Sequence, residues 1–570
     1  MSEVKQRAAR QGLRRLLTGV SMVAIFASFC APALAAADAE TKAEIRALKE
    51  QLKRLEKRLE GQAQSQRQTE RKVERVENAK GVPAANGGPA PIGGIVSKDG
   101  SILPAGFWFK NVLITPGGFF EFAGIHRDHN MGADLATPFG NIPYNNTVTA
   151  HQDETRFTAR RSRLIFGTDA DLDNVTHAKM YLAADFLSDA QTGTLTQSDS
   201  WNLRWRELYF KVDRSDLGLH LAAGQMYTLI SMNSRGTTPD TFITPPVIDD
   251  QYMPGYTWSR QVGIRLSKDL PFNLQYAFSA EMPYTSFTNA TPQYSVNGLT
   301  ANLYPGGAFP GAYNLTPVGG SLYNNANTIS FNDVPDLMTK LAWDPDLFGH
   351  SVHVEGGGML RNFTDREFGG NHDVWGGSAE LGVIVSVIPK WLDFQVSAVS
   401  GRGNGRYGAS DQSIPDVTFN QSGGLSPIHE RQVMIGLTAH PTPATDVYVF
   451  AGGEFLAANY SYANYPKVSA LGIGGGVYSL GYGNPAYVNA GCNFEGATSS
   501  GSIGACVGET KDVRQITTGF WHNLYDGPAG KVRVGAQYSY TIRDSFQGIG
   551  GAFKGTENMI FTSLRYYPFN

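Results

Sequence analysis

From about residue 105 to the C-terminus, apolar and polar residues alternate with period two in segments of about ten residues. In "HAKMYLAADF", Ala178, Met180, Leu182, Ala184 and Phe186 alternate with His177, Lys179, Tyr181 and Asp185. "SVHVEGGGML" sets Val352, Val354 and Leu360 opposite His353, Glu355 and Met359, and "KVRVGAQYSYTIR" sets Val532, Val534, Ala536, Tyr538 and Tyr540 opposite Lys531, Arg533 and Gln537. Successive strand side chains point to opposite faces, so each segment predicts a strand with one greasy face and one wet face.

Sixteen such segments begin near residues 118, 156, 175, 204, 217, 258, 272, 334, 350, 374, 392, 429, 446, 513, 531 and 557. Alternation alone also fits a soluble sandwich, so the connections decide. Short ones ("DLDN", "RSD", "KDLP", "PDLFG", "DGPAG") exchange with long ones spanning 128 to 155, 228 to 257, 282 to 332, 402 to 428 and 458 to 512. An even strand number, with short turns at one end and long loops at the other, predicts an all-β fold: a 16-stranded antiparallel transmembrane β-barrel. Closure removes the unpaired edges such strands would otherwise expose. The chain has no uninterrupted apolar run of about 20 residues after its N-terminal segment, so no transmembrane helix is predicted.

The N-terminal part follows other rules. Lys5, Arg7, Arg10, Arg14 and Arg15 precede an apolar stretch from Leu16 to Phe29 and the small residues of "APALAAAD", which predicts a signal peptide cleaved after Ala35 or Ala37. Cys30 raises a lipoprotein alternative, against which stands the bulky Phe29 before it. Next, Ile45, Leu48, Leu52, Leu55 and Leu59 are spaced three, four, three, four, and the same register continues through Gln62, Gln66 and Thr69 to Val73 and Val76. A 3.5-residue period with charged flanks predicts a coiled coil whose narrow seam needs partner chains; a single amphipathic helix on the protein's own body is the alternative. A Gly/Pro/Ala-rich stretch, "AKGVPAANGGPAPIGGIV", reads as a linker. The expected organisation is 1-35 signal peptide, 36-80 coiled-coil helix, 81-104 linker and 105-570 barrel.

Composition narrows the choice of partners. Charged residues make up 17% of the 570, below the roughly 25% of an average soluble domain, and the formal net charge of −3 lacks the basic footprint of a nucleic-acid binder. Two cysteines, Cys492 and Cys506, remain after the signal segment. In an exported protein such a pair predicts a disulfide, and closing this loop contributes roughly 3 kcal/mol against the unfolded chain.

The stretches "TARRSRLIFGTDADL", "AKMYLAADF", "NLRWRELYF" and "LHLAAGQMYTLI", in that order and behind a signal peptide, heptad helix and linker, resemble the trimeric outer-membrane porins of Gram-negative bacteria. The likeness is to the DcaP-like dicarboxylate porins and, more distantly, to the phosphate-selective O/P type. It covers most of residues 40 to 260 by pattern and the rest only by architecture. It implies a homotrimer of barrels in the outer membrane, with the N-terminal helix in the periplasm and inward-folded loops narrowing each pore. It also places a constriction loop after the fifth strand, where Gly224 and Gln225 open the segment, Arg235 lies within it, and Asp249 and Asp250 offer acidic counterparts.

A pore selects by the charge and width of its narrowest part. Candidate lining residues are Arg161, Arg163, Lys179, Asp185, Arg204, Arg206, Arg235, Glu355 and Arg533. Arginine forks suit carboxylate or phosphate; the alternative is that some arginines reach toward headgroups. Leu208 and Phe210 share the parity of Arg204 and Arg206, so a bulge or an early loop boundary is expected there. "GNGRYG" matches a dinucleotide fingerprint without the required helix, no zinc-protease or serine-hydrolase motif occurs, and no cofactor or metal is predicted. The expected function is passive diffusion of small hydrophilic, anionic solutes. A tethering barrel whose helix contacts the cell wall or a periplasmic partner is the first alternative, and an outer-membrane enzyme the second.

Overall fold

The chain divides into two units, Met1–Ala84 and Ala85–Asn570. The computed structural model describes residues 106–188, 201–249, 251–286, 294–296, 299–301, 332–367, 370–410, 414–421, 424–465, 476–496 and 505–569, all in the second unit. The predicted signal peptide, the coiled-coil seam from Ile45 to Val76 and the linker lie outside them.

Sixteen antiparallel strands form the wall. They are β1 (Val112–Arg127), β2 in two pieces (Glu154–Thr158 and Arg163–Asp171), β3 (Thr176–Asp185), β4 (Arg204–Arg214), β5 (Leu219–Tyr227), β6 (Arg260–Leu270), β7 (Leu274–Glu281) and β8 (Asp336–Trp343). The second half comprises β9 (His350–Glu367), β10 (Gly370–Ile388), β11 (Leu392–Arg402), β12 (His429–Thr442), β13 (Thr445–Leu456), β14 (Thr510–Gly527), β15 (Gly530–Ser545) and β16 (Lys554–Tyr567). Each strand pairs with its sequence neighbours, and β16 returns to β1 from Phe120↔Tyr566 to Arg127↔Met559. The predicted barrel is thus closed, with no free edge in its wall.

Side chains sort onto two faces, and the polarity is the reverse of a soluble core. In β12 Val433 and Ile435 point outward, 42% and 47% exposed, while Glu430, Gln432 and Met434 are buried inside. In β1 Phe120 and Phe122 point outward and Glu121 and Arg127 inward. An apolar outer band around a polar interior is what a lipid-embedded barrel requires.

Seven tight connections lie at one end. At one of them, a three-residue turn between the paired Leu270 and Leu274, Phe272 and Asn273 both adopt positive φ, 66° and 58°. Long connections lie at the other end, apart from the tight β9–β10 hairpin, which closes at Glu367↔Gly370.

The interior is not uniformly polar. Met232, Val247, Ile248, Met253 and Tyr256, from the β5–β6 connection, pack with Ile125, Met434, Phe450, Trp521, Met559 and Phe561 of the wall. This apolar cluster anchors a loop inside the barrel, because burying each large side chain contributes about 1.5–3 kcal/mol.

Candidate functional site: the cross-lumen loop and its charged walls

Residues 228–259 leave the fifth strand and run through the lumen. Asn233 and Phe242 form an antiparallel bridge, making a small hairpin whose tip reaches the short-turn end: Gly236 N donates to Asp344 Oδ2 (2.8 Å) and Thr237 N to Gln275 Oε1 (2.5 Å). Lys340 Nζ of β8 donates to Ser231 O (2.8 Å) and Glu355 Oε1 (2.9 Å), and Glu355 Oε2 accepts from Asn233 N (3.1 Å). The Pro-Pro-Val-Ile stretch then meets another part of the wall, where Trp521 Nε1 donates to Pro246 O (2.8 Å) and Ile248 N to Gln537 Oε1 (2.5 Å). Arg161 donates to the carbonyl oxygen of Ile248. Finally Gly255 N donates to Glu454 Oε1 (2.9 Å) and Thr257 Oγ1 to Gln432 Oε1 (2.8 Å). The backbone approaches the wall so closely here that a Cβ on Gly452 would collide with the Pro254 carbonyl.

These tethers use groups that an interior loop must satisfy in any case, since a buried backbone N–H or C=O left unpaired is costly. The wall supplies the partners as inward side chains at alternate positions of β8, β9, β12, β13, β14 and β15. Asp249 pins the loop to the β1–β2 connection through Ala136 N (2.8 Å) and Thr137 N (3.3 Å), and burial pushes its carboxyl up to about 6. Asp240 is partly buried, but Lys211, 2.7 Å away, outweighs that burial and holds it below the usual carboxylate range.

Charge along the walls is grouped. Arg204 and Arg206 both pair with Asp185 (2.9 Å each), and Arg260 stands beside Tyr227 and Trp258, 5.6 and 5.4 Å from the ring centres. The β3–β4 ladder explains the first pair: Ala183 opposes Glu207 while Ala184 opposes Trp205, so Arg206 is an extra residue. A bulge at this point lets Arg206 and Glu207 both face inward. A second group joins β1, β2, β13, β14, β15 and β16. Arg565 lies 3.1 Å from Glu121 and 4.2 Å from the Trp521 ring centre, Arg163 lies over Phe119, and Arg533 pairs with Asp446. A third places Arg361 between Asp336 (3.1 Å) and Asp416 (2.7 Å).

The other residues singled out from sequence fall as follows. Arg161 is buried, 3.8 Å from Glu121, and Lys179 lies 3.5 Å from Asp169. Arg235 is exposed at the hairpin tip. Gly224 and Gln225 are in β5, not in the loop: Gly224, at φ 131°, packs against the Tyr209 backbone inside a continuous ladder with β4 and β6, and the loop starts at Thr228. Asp250 lies outside the described residues. Cys492 and Cys506 are joined by a disulfide next to Tyr144.

Sequence reasoning missed Arg260, Arg265, Lys340, Arg361 and Arg565. Their signal was the parity of their own strands: Arg565 shares the face of Ser563 and Phe561, opposite Leu564 and Tyr566. An apolar inward residue such as Phe561 hid that parity.

No family model matches the sequence, and no curated protein matches it. Among solved structures the fold is similar to the outer membrane channel DcaP of Acinetobacter baumannii (16% identity, 81% of this chain and 99% of that one, TM-score 0.53). Also similar are an anion-selective porin from Comamonas acidovorans (10% identity, 80% and 99%, TM-score 0.42) and OprB of Pseudomonas putida (12% identity, 79% and 94%, TM-score 0.40). With sixteen strands closed on themselves, an apolar outer band and a likeness to the Acinetobacter channel over nearly its whole length, the chain carries the fold of a Gram-negative outer-membrane porin.

Proposed function

We propose that this protein is a passive outer-membrane channel for small hydrophilic solutes and that it favours anions carrying carboxylate or phosphate groups. The observation behind this reading is a loop crossing the lumen of a closed barrel next to walls where arginines cluster around few carboxylates. Arg204 and Arg206 share Asp185, with Arg260 and Glu207 close by, and Arg161 and Arg565 share Glu121, with Arg533 on Asp446 and Arg163 over Phe119. Arginine forks there would attract and orient an oxyanion, while the neighbouring carboxylates limit how tightly it is held, as passage requires.

In this reading the long loops face outward, the short turns face the periplasm, and Arg235 lies at the periplasmic mouth. The heptad helix then sits in the periplasm and fastens three barrels through Ile45, Leu48, Leu52, Leu55, Leu59, Val73 and Val76. Conductance in a planar bilayer tests the channel: step-like currents with an anion-favouring reversal potential are expected. Absence of steps would overturn it and leave the tethering reading; a cation-favouring potential would overturn the anion preference. Deletion of residues 40–80 is expected to weaken the trimer, and an equally stable trimer would exclude the helix as its clamp.

A further inference from the structure

Strand β1 ends at Arg127, and the next two residues face the closing strand β16. His129 Nδ1 lies 3.0 Å from Asp128 Oδ1 and 3.5 Å from Glu557 Oε2. These three atoms all lie within 4.8 Å of one another. Glu557 is fully buried; its Oε1 accepts from His129 N (3.0 Å), but its Oε2 accepts no hydrogen bond and points at His129. A buried carboxylate oxygen without a hydrogen bond is costly, and here its neighbours are the His129 ring, 3.5 Å away, and a second carboxylate.

We propose that Asp128, His129 and Glu557 form a binding site for a divalent transition-metal ion of the zinc class, clasping the first strand to the last. One imidazole nitrogen with two carboxylate oxygens is a donor set suited to zinc, whereas calcium and magnesium take oxygen ligands. The surroundings already orient these donors. Asn558 donates to Asp128 through its backbone N (2.7 Å to Oδ1) and its side chain (2.5 Å to Oδ2), fixing the carboxylate as an outer ligand shell does. Arg127, the nearest cation in sequence, spends its hydrogen bonds on Ala133 O, Asp134 O and Glu154 rather than on Asp128 or Glu557. Asp128 and His129 are partly exposed, which leaves solvent access for the ion and for a water in its remaining position. Histidine binds neutral through Nδ1, its ring proton on Nε2.

The test uses full-length, tag-free protein in detergent, stripped with EDTA and titrated with zinc chloride by calorimetry and metal analysis. One zinc per chain is expected, with a raised thermal transition. His129→Gln, at a half-buried position the barrel tolerates, is expected to lower zinc affinity by more than about 100-fold, beyond the loss usual for an outer-shell change. Glu557→Gln should do the same, and retention of the heat-modifiable folded band by the His129 variant keeps the result interpretable if the Glu557 variant misfolds. No stoichiometric zinc on the wild type, unchanged affinity in His129→Gln, or displacement of zinc by equimolar calcium chloride would overturn the proposal.

Discussion

The indole Nε1 of Trp521, on β14, donates a 2.8 Å hydrogen bond to the carbonyl oxygen of Pro246 in the cross-lumen loop. The two residues are far apart in sequence, and both are deep inside the barrel. Trp521 also carries the guanidinia of Arg533 and Arg565 over its ring, at 5.0 and 4.2 Å. One side chain therefore fixes the loop and the cation cluster together.

Trp521→Phe keeps most of the apolar packing and leaves the Pro246 carbonyl without this donor, at a cost of about 1–3 kcal/mol. The barrel is expected to fold, and single-channel records to show added flicker between conductance levels. Records as quiet as the wild type would exclude this contact as the loop's anchor.

Arg260 is half-buried beside Trp258 and Tyr227, and its Nη1 makes no hydrogen bond. That atom is shielded from solvent, so the guanidinium acts on a passing solute through its field rather than by direct contact. A unit charge about 8 Å from a solute, at an effective dielectric of about 40, is worth about 1 kcal/mol. Because the same charge attracts an anion and repels a cation, Arg260→Gln should lower the anion-to-cation permeability ratio by up to roughly thirtyfold. Reversal potentials across a salt gradient measure this, and an unchanged ratio would remove Arg260 from the selectivity path.

Asp249 supplies a pH dependence whose sign is fixed. Burial raises its carboxyl to about 6, so between the ordinary aspartate range and that value the folded protein holds more protons than the unfolded chain. Its contribution is fully present below about pH 4 and is lost as pH rises toward 6, by at most about 3 kcal/mol. Asp249→Asn keeps a neutral acceptor, so wild-type stability relative to this variant should fall as pH rises from 4 to 7. Thermal unfolding across that range checks it; a pH-independent difference would contradict the burial argument.

The Cys492–Cys506 bridge closes a segment with a sequence separation of 14, and Gly491 N donates to Ala505 O (2.9 Å) beside it. Replacing both cysteines by alanine releases roughly 3 kcal/mol of loop-closure restraint. Amide exchange at Gly491 should accelerate by roughly one hundredfold, while exchange in β14 stays slow. Equal protection at Gly491 in both proteins would mean that packing against Tyr144 alone holds this loop.

The sequence by itself determined the barrel. Alternation, strand number and the exchange of short with long connections are local properties, and sixteen predicted starts such as 350, 392 and 429 match the strands of the wall. The facing of Lys179, Asp185, Glu355 and Arg533 was legible for the same reason: parity along a strand decides which side a residue takes. Tertiary structure decided what fills the interior. The inward apolar set at Ile125, Phe450, Trp521 and Phe561 contradicts a simple wet face, and it is explained only by the loop residues that cover it. Likewise, the placement of Gly224 and Gln225 in β5 depends on ladders with β4 and β6, which local pattern does not encode. Arg206 and Glu207 both face inward because of a bulge against β3, and Glu557 meets Asp128 and His129 only because the last strand closes on the first. Pairing across the barrel brings together residues hundreds of positions apart, and no period along the chain carries that information.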